Sequence, residues 1–138
     1  MWRGALLGAL LGAVVYSMSA EKGWAGVKES SRIVRPIAEA QFRAEVENVK
    51  SPVVVDLYAD WCGPCRMLSP TLERLAGEFS GRIKFVKVNV DGAQGLSERF
   101  QVEGIPTLLF FKNGKLEDRV TGLLPEEELK ARLTELAK

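Results

Sequence analysis

The chain contains no histidine and only two cysteines among its 138 residues. Together these scarcities exclude a four-ligand zinc site built within the chain, because too few imidazoles and thiolates exist to complete a tetrahedron. No metal site is expected. Charge of one sign is not in excess either. Nineteen Lys and Arg face eighteen Asp and Glu, a formal net charge of +1. Nothing in that balance points to a nucleic-acid partner. No internal repeat and no low-complexity tract breaks the chain, and its length suits one ordinary core.

What is present is concentrated in Trp61-Cys62-Gly63-Pro64-Cys65-Arg66, which holds both cysteines two residues apart. It stands where an apolar run gives way to a helical pattern. Thiols at this spacing can close a small-ring disulfide. A purely structural bridge would gain little, because bridges stabilise most when they close long loops. A thiolate is the reactive form, and a helix N-terminus favours it through unpaired N–H groups and the helix dipole. Cys62 falls at or just before the first turn and Cys65 inside it. Cys62 is therefore the expected attacking thiolate and Cys65 the resolving thiol. Pro64 suits an early helical position, having no N–H to leave unpaired. Gly63 is expected to tighten the turn and admit a partner backbone.

The first twenty residues read as a signal peptide or membrane anchor. Arg3 follows Trp2, and Gly4 to Ala20 carry no charge. As a helix that run would span roughly 25 Å, between the length of a leader and that of a full membrane span. Cleavage and retention both remain open. In either case Arg3 and the amino terminus would stay cytoplasmic and the domain would be exported. Residues 21–35, mixed in charge and without periodicity, read as a linker, and 36–138 as the folded domain.

Periodicity lays out that domain. Ile33-Val34 reads as a short strand and Pro36 to Val49 as a helix, with Phe42, Val46 and Val49 on one face. Pro52 to Tyr58 is a near-continuous apolar run, as in a central strand covered on both faces. Cys62 to Phe79 is a helix with Leu68, Leu72, Leu75 and Phe79 in a stripe, and with Pro70 expected to kink it. Ile83 to Val90 is a strand and Gln94 to Phe100 a short helix. Thr107 to Phe111 and Leu116 to Thr121 form a hairpin across Lys112-Asn113-Gly114-Lys115. Pro125 to Ala137 closes the chain as a helix, with Leu129, Leu133 and Leu136 inward. The alternation implies an α/β fold with a mixed sheet and helices on both faces.

With these elements placed, the chain resembles the thioredoxin family. The resemblance rests on Trp61-Cys62-Gly63-Pro64-Cys65, on Val55-Asp56 before it and on Gly104-Ile105-Pro106-Thr107 after it. Lys112-Asn113-Gly114 and Gly122 match the family's hairpin turn and late glycine. It covers about residues 36–138 and implies a thioredoxin fold: a central mixed β-sheet flanked by four helices. The activity implied is protein-disulfide reductase, a thiol–disulfide oxidoreductase working by dithiol–disulfide exchange at Cys62 and Cys65. No cofactor is implied beyond that redox-active pair.

Three further residues stand out. Asp56 interrupts an apolar strand, so burial is expected to raise its pKa. The resemblance makes it the proton acceptor for Cys65, through a water. Lys87 shares a strand face with Ile83 and Phe85, which suggests a partly buried ammonium, and the resemblance sets it near Asp56. Pro106 follows Ile105 at a strand start; the family has this peptide bond cis and facing the cysteines, with the preceding residue offering backbone groups to an extended substrate. The surface expected to bind substrate is Trp61, Gly63, Pro64, Gly104, Ile105, Pro106 and Gly122.

Two residues depart from the family pattern. Tyr58 stands where many thioredoxins have tryptophan, and Glu103 where a basic residue is common. The expected partners are protein disulfide substrates and an electron-donating reductase, either a thioredoxin reductase or a transmembrane thiol carrier, with the chain acting as a monomer. The expected location is outside the cytoplasm, periplasmic or anchored to the inner or plasma membrane, with cytoplasmic as the alternative. Two other functions fit the same fold: an exported disulfide oxidant or isomerase, and a non-catalytic binding module. Gly-Pro between the cysteines favours the reductase.

Overall fold

The computed structural model describes residues 32–138. The segment 1–20 and linker residues 21–31 lie outside the described residues. Five strands form one sheet: β1 Arg35–Pro36, β2 Val53–Tyr58, β3 Lys84–Asn89, β4 Thr107–Lys112 and β5 Lys115–Thr121. Their spatial order is β1-β3-β2-β4-β5. β1 and β2 run parallel to β3, whereas β4 is antiparallel to both β2 and β5. The α-helices are α1 Gly63–Glu78, α2 Gln94–Arg99 and α3 Glu126–Leu136.

β2 is the centre of this arrangement, and its apolar sequence suits that place. Val53, Val54, Val55 and Leu57 are almost wholly buried, and each such side chain contributes roughly 1.5–3 kcal/mol on burial. Both edges of the strand are paired, so its backbone groups are satisfied without water. Alternate residues serve opposite cores. Val54 packs with Phe85, Leu108 and Phe110 against the leucines of α1 and α3. Val53, Val55 and Leu57 pack on the other face with Phe42, Val46 and Leu96. There Phe42, Phe100 and Phe111 form a ring cluster, with centroids 5.6, 5.7 and 5.9 Å apart.

The first elements differ from expectation. The edge strand is Arg35–Pro36 rather than Ile33-Val34, pairing at Val86 and Lys87. The Glu73 carboxylate of α1 takes the N–H groups of Ile33 and Val34, so these cannot join the ladder. The expected helix from Pro36 to Val49 is a 3-10 turn, Glu39–Gln41, followed by a π-helical run, Arg43–Glu47. Gln41 folds back to accept the Ala38 N–H at 2.8 Å, and Asn48 N–H reaches the Arg43 carbonyl at 2.8 Å. This wider winding still buries Phe42 and Val46, whose spacing several kinds of helix can satisfy.

α1 begins at Gly63 with Cys62 as its N-cap and runs unbroken through Pro70. The proline has no N–H, so the Arg66 carbonyl lacks its usual partner one turn on. The hairpin is tighter than expected. Lys112 and Lys115 pair as strand residues, leaving a two-residue turn of Asn113 (φ 52°) and Gly114 (φ 73°). Glycine is required at 114 for a second reason: a Cβ there would lie 2.1 Å from the Glu47 carbonyl oxygen. Gly114→Ala combines a left-handed φ with a backbone clash. It should destabilise the protein by at least about 1 kcal/mol, read as a lower urea midpoint. An unchanged midpoint would refute this account of the turn.

Candidate active site

The site is assembled where β2 ends. Ala59, Asp60 and Trp61 carry the chain from Tyr58 to Cys62, whose extended backbone (φ −83°, ψ 110°) caps α1. Cys62 and Cys65 are joined as a disulfide with Cα atoms 5.3 Å apart. The Cys65 N–H points at Cys62 Sγ, 3.2 Å away. That helix N–H favours negative charge on the Cys62 sulfur when the bridge opens. Pro64 sits in the first turn, as expected. Gly63 corrects the expectation made for it. Its φ is not left-handed and a Cβ there would meet nothing within 4 Å. Turn geometry does not require it; open space above the turn is what it provides.

The chain preceding β4 closes over the cysteines. Ile105–Pro106 is a cis peptide, and the Ile105 carbonyl oxygen lies 3.7 Å from Cys62 Sγ. Pro106 is buried, and its carbonyl accepts the Gly122 N–H at 2.8 Å. Gly122 adopts φ 85°. Gly104 and Ile105 are half-buried, and Pro64 and Trp61 are exposed, Trp61 at 68 %. Of these, Ile105 packs against the disulfide, whose own cysteines are only 4 % exposed.

Sequence reasoning missed the support beneath Trp61. Its indole N–H donates to Asp91 Oδ2 at 2.9 Å. Asp91 in turn is fixed by its own N–H, which donates to Asn89 Oδ1 at 3.0 Å. The Asn-Val-Asp end of β3 carries a local turn signal, but its distance in sequence from Trp61 hides the contact. Met67, two residues after Cys65 on α1, is 69 % exposed.

Asp56 is 4 % exposed. Its register partner on β3 is Lys87. Asp56 Oδ1 has no hydrogen-bond partner among the described residues. Burial raises its pKa to about 7, and the positive charge of Lys87 offsets only part of that rise. Lys87 is half-buried, with Nζ 5.1 Å from the centroid of the Tyr58 ring, close enough for cation–π attraction. A cleft of about 180 Å³ joins Asp56 to Cys65, with Lys87, Asp60 and Arg66 also in its wall. A buried carboxyl that titrates near neutrality can take up a proton released inside this cleft.

The family model for thioredoxin matches residues 33–135. The chain belongs to the thioredoxin family. It is 45 % identical over 93 residues to thioredoxin of Haemophilus influenzae, covering 67 % of this chain and 87 % of that protein. It is 41 % identical over 100 residues to thioredoxin of Porphyra purpurea, covering 72 % and 94 %. Against the chloroplastic M-type thioredoxin of Spinacia oleracea it is 37 % identical over 101 residues, covering 73 % of this chain and 56 % of that protein. With its thioredoxin fold and paired cysteines, the protein is a thiol–disulfide oxidoreductase, a protein-disulfide reductase whose redox centre is Cys62–Cys65.

In this thioredoxin domain the Asp56 pKa carries a stability consequence. The folded-state value, about 7, lies above the unfolded value near 3.8. Between these values the unfolded chain binds fewer protons, so stability falls as pH rises from about 4 to about 7 and then levels off. Asp56→Asn removes that penalty. It should stabilise the protein at pH 8 by an amount on the order of 2–4 kcal/mol and leave it nearly unchanged at pH 4. Chemical denaturation at the two pH values checks this; equal effects at both would contradict the raised pKa.

Proposed function

We propose that the protein reduces disulfides of exported proteins, with each residue of the site in a distinct role. The Cys62 thiolate attacks a substrate disulfide, forms the mixed disulfide and releases the first substrate thiolate. Cys65 then loses its proton to the Asp56 carboxylate through water in the cleft. Its thiolate attacks Cys62 Sγ, the Cys62–Cys65 bond forms, and the second substrate thiol leaves. Two electrons pass to the substrate, and no cofactor takes part. Lys87 limits how far burial raises the Asp56 pKa. Trp61, Gly63, Pro64, Gly104, Ile105, Pro106 and Gly122 receive an extended segment of the substrate, with the Ile105 backbone pairing in strand fashion. The observation that carries this reading is the placement of Cys65 and buried Asp56 in one cleft, beneath a Cys62 that caps a helix.

The uncharged run from Gly4 to Ala20, preceded by Arg3, supports export, with the segment either cleaved or kept as an anchor. No helix among the described residues is long and apolar enough to cross a membrane, so any anchoring falls to that leader. A reductant outside the cytoplasm needs an electron-donating partner there; a transmembrane thiol carrier fits this need. The domain works as a monomer.

Cys65→Ser should accumulate covalent complexes with substrate proteins, visible as bands lost on adding dithiothreitol. Cys62→Ser should form none and lose reductase activity. Complexes forming equally through Cys65 would reverse the assigned roles. Fractionation of cells producing the full chain should place it outside the cytoplasm or in the membrane. Recovery in the cytosol, unchanged on deleting residues 1–20, would overturn export.

A further inference from the structure

Asp56 borders two cavities, and they differ in what they reach. The first, about 180 Å³, opens past Cys65, Asp60 and Arg66. The second, about 270 Å³, opens further along α1, past Arg32, Pro70 and Glu73. Three residues line both: Asp56, Lys87 and Ser69. One is a carboxyl, one an ammonium and one a hydroxyl. Ser69 lies one turn after Cys65 on α1, so the two side chains stand on one helix face. Its hydroxyl makes no hydrogen bond among the described residues, whereas that of Ser97 is tied to the Ala93 carbonyl at 3.0 Å. Tyr58 supplies the other hydroxyl near Asp56, but it lines only the first cavity.

We propose that Ser69 is a positioning residue for proton transfer: its hydroxyl holds the water chain that connects the Cys65 thiol to the Asp56 carboxylate. The proposal rests on the reading of Asp56 as acceptor of the Cys65 proton and names what completes the path. A hydroxyl can donate one hydrogen bond while accepting another. A proton leaving Cys65 can therefore pass along water held by Ser69 and arrive at Asp56, leaving the serine chemically unchanged. The sulfur bookkeeping stays that of the reductase: the mixed disulfide breaks, Cys62–Cys65 forms, and the substrate thiol departs. Lys87 cannot substitute, because an ammonium only donates. The charged groups that line a cavity together with Asp56 are Lys87 from β3, Arg66 and Glu73 from α1, Asp60 from the loop after β2, and Arg32 from the segment before β1. On β4 its register partner is the apolar Leu108.

The test compares the full chain with its Ser69→Ala, Ser69→Thr, Asp56→Asn and double Asp56→Asn/Ser69→Ala variants. Each is reduced in advance, and its single-turnover reduction of insulin disulfides is followed from about pH 6 to pH 9. Ser69→Ala should slow turnover about fivefold above neutrality, with an unchanged denaturation midpoint, since Ser69 is exposed. Ser69→Thr, which keeps the hydroxyl, should restore most of the rate. The double variant should be no slower than Asp56→Asn alone. If Asp56→Asn slows the reaction and Ser69→Ala follows the wild-type profile, the role of Ser69 is overturned while that of Asp56 stands. If Asp56→Asn leaves the profile unchanged, the acceptor reading fails and the relay with it. Additive losses in the double variant would show Ser69 acting apart from Asp56 and would also overturn the proposal.

Discussion

The confinement of β2 governs the rest of the molecule. The strand is hydrogen-bonded on both edges and buried on both faces, so its direction and register have almost no freedom. Its end delivers Cys62 to the start of α1, and the leucines of that helix lock against the same sheet. The Cys62 sulfur is thereby held beside a helix N–H and the Ile105 carbonyl. Close-packed cores transmit such constraints faithfully, because few voids exist to absorb a shift.

The same confinement makes Asp56 unusual. In a strand this buried a carboxyl is costly to ionise, and its neighbour Lys87 offsets that cost only in part. An apolar residue would fit the strand better. Stability is therefore lower at neutral pH than it need be, and the loss is located beside the thiol that must shed a proton. A stability cost of this kind at a reactive centre is a recognised exchange between foldedness and function.

Much of this was legible in the sequence. The continuous apolar run marked β2, the Cys-Gly-Pro-Cys segment marked the strand-to-helix junction, and Asn113-Gly114 marked the hairpin. Each is a local signal with a local cause. The misses have the opposite character. Phe42 and Val46 gave the correct buried face but not the winding, because the helix there adapts to Phe100 and Phe111 from distant segments. The edge strand slipped by two residues because Glu73 captures Ile33 and Val34. Asp91 under Trp61 and Ser69 beside Asp56 emerge only when the fold brings separate segments together.

The central claim is that the Cys62–Cys65 pair acts as a reductant, and its reduction potential tests that claim most directly. The full chain would be equilibrated against dithiothreitol or glutathione buffers and the dithiol fraction measured. The account predicts a potential of about −270 mV, the value of thioredoxin itself. A potential in the region of roughly −120 to −180 mV, where oxidants and isomerases operate, would contradict it.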